Sequence, residues 1–291
     1  MGNYVDIHCH GGGGHSFGAD VDGTLAALAA HRAHGTGRLV ASLVSESPER
    51  TIAAMNVVRE AMARDESILG VHLEGPFIAP ARKGAHDPAA LRLPTVEAIA
   101  ELLEAGNGII RQITMAPELE GAMDAISQCV EAGVVVAVGH TEADAATARE
   151  AFDRGATLVT HGFNAMRGIV GREVGPVGAA LADERIAIEF IADGIHVDPS
   201  LIASIFRAAP GRVVLVTDAM AAAASAPGRY PLGTLHVDVT EDGRAFVAGT
   251  ETLAGSTLTM DRAVEVCVAA GVSRADAEAA ATTTPARVLG I

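Results

Sequence analysis

Short β-branched apolar runs alternate with Ala-rich amphipathic stretches along the whole chain. The runs predict strands at 4–9 (YVDIHC), 38–44 (RLVASLV), 68–73 (ILGVHL), 109–114 (IIRQIT), 134–138 (VVVAV), 157–161 (TLVTH), 186–191 (IAIEFI) and 212–217 (RVVLVT). Stretches at 50–64, 95–105, 121–132, 143–153 and 199–208 predict helices, with Gly133 and Gly155 placed to end two of them. Strands that are apolar throughout must be covered on both faces, and helices between them imply parallel βαβ units. Eight such strands suggest a closed, TIM-like (β/α)8 barrel, with a doubly wound open sheet as the competing architecture. Segment 228–248 differs: two alternating strands around Glu241-Asp242-Gly243 give a hairpin signal, expected as an insertion after the eighth strand. No repeat or linker divides the chain, so residues 1–291 are expected to form one domain.

Unusual polar residues collect at the C-terminal ends of the predicted strands, where barrel enzymes place their chemistry. Strand 1 ends in His8-Cys9-His10, strand 3 in His72-Leu73-Glu74, and strand 5 runs into His140. Strand 6 ends in His161, strand 7 is followed by Asp193 and His196, and strand 8 ends in Asp218. The period of two aims His8 and His10 at one face, suiting a ligand pair or a hydrogen-bonding pair at the barrel mouth. Glu74 lies deep in an apolar run and must be ion-paired, hydrogen-bonded or metal-bound. A lone histidine such as His140 or His161 is ordinarily a satisfied core residue. Converging with Glu74 at one mouth, the two would form a site suited to Zn, Fe or Mn. Asp218 is either an N-cap or a general base for an attacking water. His31 and His34, on an early helix, read as solvated surface residues; His15 and His236 receive no role.

Composition narrows the function classes. Hydrophobic residues make up 49% of the 291 but aromatics only 3%, so the core is built from Ala, Val, Leu and Ile. Absence of Trp, two Tyr and a net charge of -15 argue against nucleic acid as partner. No uncharged apolar run approaches the roughly 20 residues of a membrane span, and the N-terminus lacks a secretory pattern. Cys9, Cys129 and Cys267 are widely spaced without a CxxC pair, fitting reduced thiols and a cytoplasmic address.

The ordered motifs HLEGPF (72–77), KGAH (83–86), GHT (139–141), THGFNAM (160–166), DGIHVDP (193–199), VTDA (216–219) and LAGS (253–256) resemble the N-acetylglucosamine-6-phosphate deacetylases of the amidohydrolase superfamily, over nearly the full chain. The resemblance implies a metal-dependent hydrolase barrel that releases acetate from an amino-sugar phosphate. It implies Glu74, His140 and His161 as main metal ligands and His8 and His10 as the pair that adds a second ion. One or two divalent ions are then expected, Zn or Fe first, with Mn or Co as substitutes. Asp218 matches the catalytic aspartate, and His86 a catalytic residue that contacts the substrate near its acetyl group. Asn164, Ala165, Arg172 and His196 match positions that hold the sugar phosphate, and Leu253 one that borders its acyl end. The counterpart of Arg172 reaches in from a partner subunit, which implies a homodimer. Relatives acting on N-acetylgalactosamine 6-phosphate or a cyclic amide, or a silent sugar-phosphate-binding barrel, are the alternatives. Two departures stand out. The family's accessory β-sandwich is largely absent from this chain, and Gly162 stands where a large apolar residue is common.

Overall fold

The computed structural model describes residues 3–291. Eight parallel strands follow one another around a single sheet: β1 (Tyr4–Cys9), β2 (Thr36–Leu43), β3 (Ile68–Glu74), β4 (Ile110–Met115), β5 (Val135–Val138), β6 (Leu158–Val159), β7 (Ala187–Phe190) and β8 (Val213–Leu215). Each pairs with its sequence neighbour, with Glu74 opposite Thr114 and Val138 opposite Val159. The ring closes just past β8, where the Asp218 N–H donates to His8 O (2.8 Å) and the His10 N–H to Ala219 O (2.7 Å). Asp6 clamps the same seam: its buried carboxylate accepts from the Thr217 hydroxyl at 2.5 Å and from the His8 N–H at 3.2 Å.

The predicted barrel is therefore present, with strand positions close to expectation. Strand 6 is the exception: 157–161 shrinks to Leu158–Val159, because the chain turns sharply at His161 (φ 25°). Helices α1 (Val21–Ala33), α2 (Pro48–Arg64), α3 (Val96–Gly106), α4 (Ala122–Glu131) and α5 (Ala145–Asp153) cover the first strands. Side-chain oxygens of Asp20, Ser47, Thr95 and Asp144 cap α1, α2, α3 and α5, each contributing about 1 kcal/mol. Ala, Val, Leu and Ile supply most of the packing between helices and sheet, so the core closes with few aromatics.

The insertion carries three antiparallel strands, not the two expected: β9 (Gly228–Leu232), β10 (Leu235–Val239) and β11 (Ala245–Val247). The anticipated Glu-Asp-Gly turn joins β10 to β11. The extra strand, GRYPL, was masked by Gly228 and Pro231, residues that edge strands tolerate and central ones do not. Leu232, Val237 and Ala245 pack on Met220, Ala222 and Ala254, which seats the insertion over the barrel mouth. Among the described residues no helix is long and apolar enough to cross a membrane.

Candidate active site

The barrel brings the strand-end residues together. His8 and His10 leave β1, Glu74 ends β3, His140 and His161 follow β5 and β6, and Asp218 follows β8; all six are buried. His140 (φ 48°), His161 (φ 25°), Ala165 (φ 50°) and Asp218 (φ 48°) hold left-handed backbone, which costs a non-glycine residue on the order of 1 kcal/mol or more. Backbone hydrogen bonds between the loops beyond the strands accompany it. Ala79 N–H donates to His140 O (2.9 Å), Thr141 N–H to Ala165 O (3.0 Å) and Ser256 N–H to Asp218 O (2.7 Å).

Glu74 is the centre of the arrangement. Its Oε1 lies 3.0 Å from His140 Nε2 and 3.1 Å from His161 Nε2, and those two nitrogens are 3.0 Å apart. Its Oε2 lies 3.1 Å from His10 Nε2. Asp218 Oδ1 stands 3.4 Å from both His8 Nε2 and His10 Nε2. Ligand-type atoms thus form two groups sharing Glu74: Glu74, His140 and His161; and His8, His10, Glu74 and Asp218, the atoms of each within 4.8 Å of one another.

The Nδ1–H of His140 donates to Arg82 O at 2.7 Å, which turns Nε2 toward the Glu74 carboxylate. Imidazole nitrogens and carboxylate oxygens converging in this way form a donor set for a divalent cation. Two imidazoles and a carboxylate with an open side fit a borderline-hard divalent ion. Burial works against the Glu74 carboxylate, but the surrounding histidines, His8 foremost, hold it well below the usual range. Burial likewise opposes ionised Asp218, and His8 and His10 outweigh it, holding the group at about 2.

His86 sits differently. Its Nδ1 accepts from the Ser45 N–H (3.2 Å), leaving the proton on Nε2, which lies 3.3 Å from Glu74 Oε2. Burial pushes its pKa down to about 4, against the pull of Glu74, so the ring is a neutral donor.

A cavity of about 290 Å³ opens above this floor. Of the predicted substrate residues, His86, Asn164, Ala165, His196 and Leu253 line it. Arg172 does not: it sits exposed at the tip of a tight turn in which the N–H groups of Val170 and Glu173 each donate to the other's carbonyl. Arg82, Leu232 and Thr252 line the cavity and escaped sequence reasoning. The guanidinium of Arg82 is paired with Glu142. His196 donates from Nδ1 to Asp193 Oδ2 at 2.7 Å; burial disfavours its charged form, but Asp193 prevails and raises its pKa.

Beneath the floor lie groups that no motif announced. Glu189 and Gln112 are fully buried and hydrogen-bonded to each other, and Glu189 also meets His8. A charged residue inside IAIEFI was the available signal. His31, expected at the surface, is buried, donating to Gly11 O at 2.8 Å with Cys9 Sγ at 3.2 Å. The correction has a simple cause: the glycine loop folds back onto α1 and covers that ring. His34 is partly exposed as expected, beside Asp261. Gly162 is explained by packing, since a Cβ there would come within 2.7 Å of Ile188 Cγ2.

Residues 4–291 match the model of the amidohydrolase family. The chain belongs to that family. It is therefore a metal-dependent hydrolase. Within the family it is similar to the N-acetylgalactosamine-6-phosphate deacetylase of Escherichia coli O157:H7, 38% identical over 99% of this chain and 77% of the relative. The N-acetylglucosamine-6-phosphate deacetylase of Danio rerio is 37% identical, with 99% of this chain and 74% of the relative covered. A solved structure of the N-acetyl-D-glucosamine-6-phosphate deacetylase of Mycobacterium smegmatis, a mutant in complex with N-acetyl-D-glucosamine 6-phosphate, superposes with a TM-score of 0.95 at 46% identity. The match covers all of this chain and 78% of that one.

Proposed function

We propose that this amidohydrolase cleaves the N-acetyl group of N-acetylglucosamine 6-phosphate, giving glucosamine 6-phosphate and acetate in amino-sugar catabolism. The observation that carries it is the meeting of three chemistries in one cavity: a carboxylate–imidazole cation site, an ionised Asp218 and the neutral donor His86. Residues 1–291 act as one barrel domain, and the cytoplasm, where sugar phosphates occur, is its working compartment.

Glu74, His140 and His161 would hold the principal divalent ion, and His8 and His10 a second; the imidazole-rich donor set favours Zn or Fe. Such an ion, when bound, supplies Lewis-acid polarisation of the amide carbonyl and acidifies water. Asp218 takes the proton of the attacking water on its carboxylate and delivers it to the departing amine nitrogen. His86 donates Nε2–H toward the oxygen on which negative charge develops. Leu253 bounds the acyl end, and Asn164 with the Ala165 backbone holds the sugar.

Phosphate recognition needs cations, because a chain at -15 repels an anion at long range. Within one chain, His196, whose pKa Asp193 raises, offers an ionisable ring already paired with Asp193, and Arg82 is paired with Glu142. Arg172, exposed beside the exposed apolar Ile169 and Val170, supplies a second cation to the neighbouring copy's cavity in a homodimer. Initial rates of acetate release from N-acetylglucosamine 6-phosphate and N-acetylgalactosamine 6-phosphate, and of ring opening of a cyclic amide, test the reading. The gluco phosphate is expected to be fastest; a faster galacto phosphate or cyclic amide would reassign the substrate.

A further inference from the structure

Under the cation site lies a carboxylate that the reaction itself does not use. Glu189, in the middle of β7, has no accessible surface, and its two oxygens receive three hydrogen bonds. Oε2 accepts from the His161 backbone N–H at 3.1 Å and from His8 Nδ1 at 2.9 Å; Oε1 accepts from Gln112 Nε2 at 2.7 Å. A backbone N–H is an obligate donor, so Oε2 is an acceptor and the proton between it and His8 belongs to His8 Nδ1. His8 thereby carries a proton on Nδ1 and is turned so that Nε2 faces His10 Nε2 (3.2 Å), Glu74 Oε1 (3.4 Å) and Asp218 Oδ1 (3.4 Å). His140 has its Nδ1–H held in the same way by a neutral carbonyl, Arg82 O. His10 has no partner at all for its buried Nδ1.

We infer that Glu189 is the positioning residue that makes the second cation position, the one bounded by His8, His10, Glu74 and Asp218. It supplies the ring orientation of His8 and a carboxylate behind that ring, whereas His10 and, in the other position, His161 have no partner for a buried Nδ1. The Glu74–His140–His161 position depends on it only through one backbone hydrogen bond. The inference rests on the proposed ligand assignment, and the test separates the two.

Glu189→Gln is nearly isosteric. Its amide oxygen still accepts from His8 and His161, and Gln112, whose Oε1 has no partner, can turn its amide to accept from the new NH2 group. The variant therefore removes charge while leaving packing in place. Metal-free wild type, Glu189→Gln, Glu189→Ala and His8→Ala are titrated with Zn2+ against a competing chelator, with bound zinc counted per chain and folding checked by circular dichroism. Two binding steps are expected in the wild type. The weaker step should loosen by about 10- to 100-fold in Glu189→Gln, the usual range for a residue behind a ligand, and vanish in His8→Ala, with the tighter step unchanged in both. A folded Glu189→Gln with both steps unaltered would overturn the inference while leaving the ligand assignment standing, since a purely structural role predicts that result. A wild type with one step, indifferent to His8→Ala, would also overturn it. A wild type that binds no zinc would remove the ligand assignment, and the inference with it. Should Glu189→Ala fail to fold, the Gln variant alone decides.

Discussion

The floor and the rim of the cavity are built on opposite principles. On the floor, His8, His10, Glu74, His140, His161 and Asp218 come from five strand ends, all buried, with left-handed backbone at His140, His161 and Asp218 and loop-to-loop hydrogen bonds to the carbonyls of His140 and Asp218. At the rim, Asn164, His196, Leu253 and the insertion lie on loops, and Arg172 stands exposed outside the cavity altogether. The floor is assembled from buried side chains of one chain, whose ligand-type atoms already lie close together, the kind of pre-positioning that bond-making chemistry requires. Among the described residues that line the cavity, Arg82 is paired with Glu142 and His196 with Asp193, and in the proposed homodimer Arg172 of the second copy would add the unpaired cation. Catalysis and substrate choice are thus separable in this fold, and substitutions should divide the same way.

The largest effect is expected on the floor. Asp218→Asn should lower kcat by at least about 100-fold with metal content unchanged, as for loss of a general acid–base group. Steady-state rates with parallel metal analysis check this, and an unaltered kcat would remove Asp218 from the chemistry. At the rim, Arg172→Ala should raise KM for the phosphorylated sugar by about 10-fold or more, with little change for the unphosphorylated sugar. Mixing Arg172→Ala with Asp218→Asn chains sharpens the comparison. If the arginine acts across a two-fold interface, heterodimers carry one intact site, and about one quarter of wild-type sites should return on random exchange. No recovery after demonstrated subunit exchange would place Arg172 in its own chain's site.

The smallest effect concerns pH. His196 has a raised pKa, so it is protonated below its ordinary value of 6.5 and loses that proton as pH rises through the higher folded value. Asp193 is lowered, so the pair also stabilises the fold above Asp193's own titration and ceases to do so once His196 deprotonates. KM for the phosphorylated substrate should therefore climb a few-fold on the alkaline side, and Asp193→Asn should move that rise to lower pH. A KM that is flat with pH in both proteins would exclude His196 from phosphate binding.

The same division explains what could be read from the chain. Apolar strands leave a polar residue only one place to go, so His8, Glu74, His140, His161 and Asp218 were legible from position alone. Glu189 follows the same logic but sits in mid-strand, within no motif, and its partners Gln112 and His8 are distant in sequence. The burial of His31 depends on the glycine loop folding over α1, a tertiary contact that helical periodicity does not encode. β9 was hidden because its Gly and Pro suppress strand propensity, while an edge position makes them harmless. Arg172, matched to a phosphate-holding position only through the family resemblance, is within one chain an exposed loop charge.

The most direct test of the account is acetate release from N-acetylglucosamine 6-phosphate by chelator-stripped protein, before and after Zn2+ is returned. The account predicts negligible turnover when stripped and recovery that tracks bound metal. Full turnover in the stripped protein, or none with metal demonstrably bound at Glu74, His140 and His161, would contradict it.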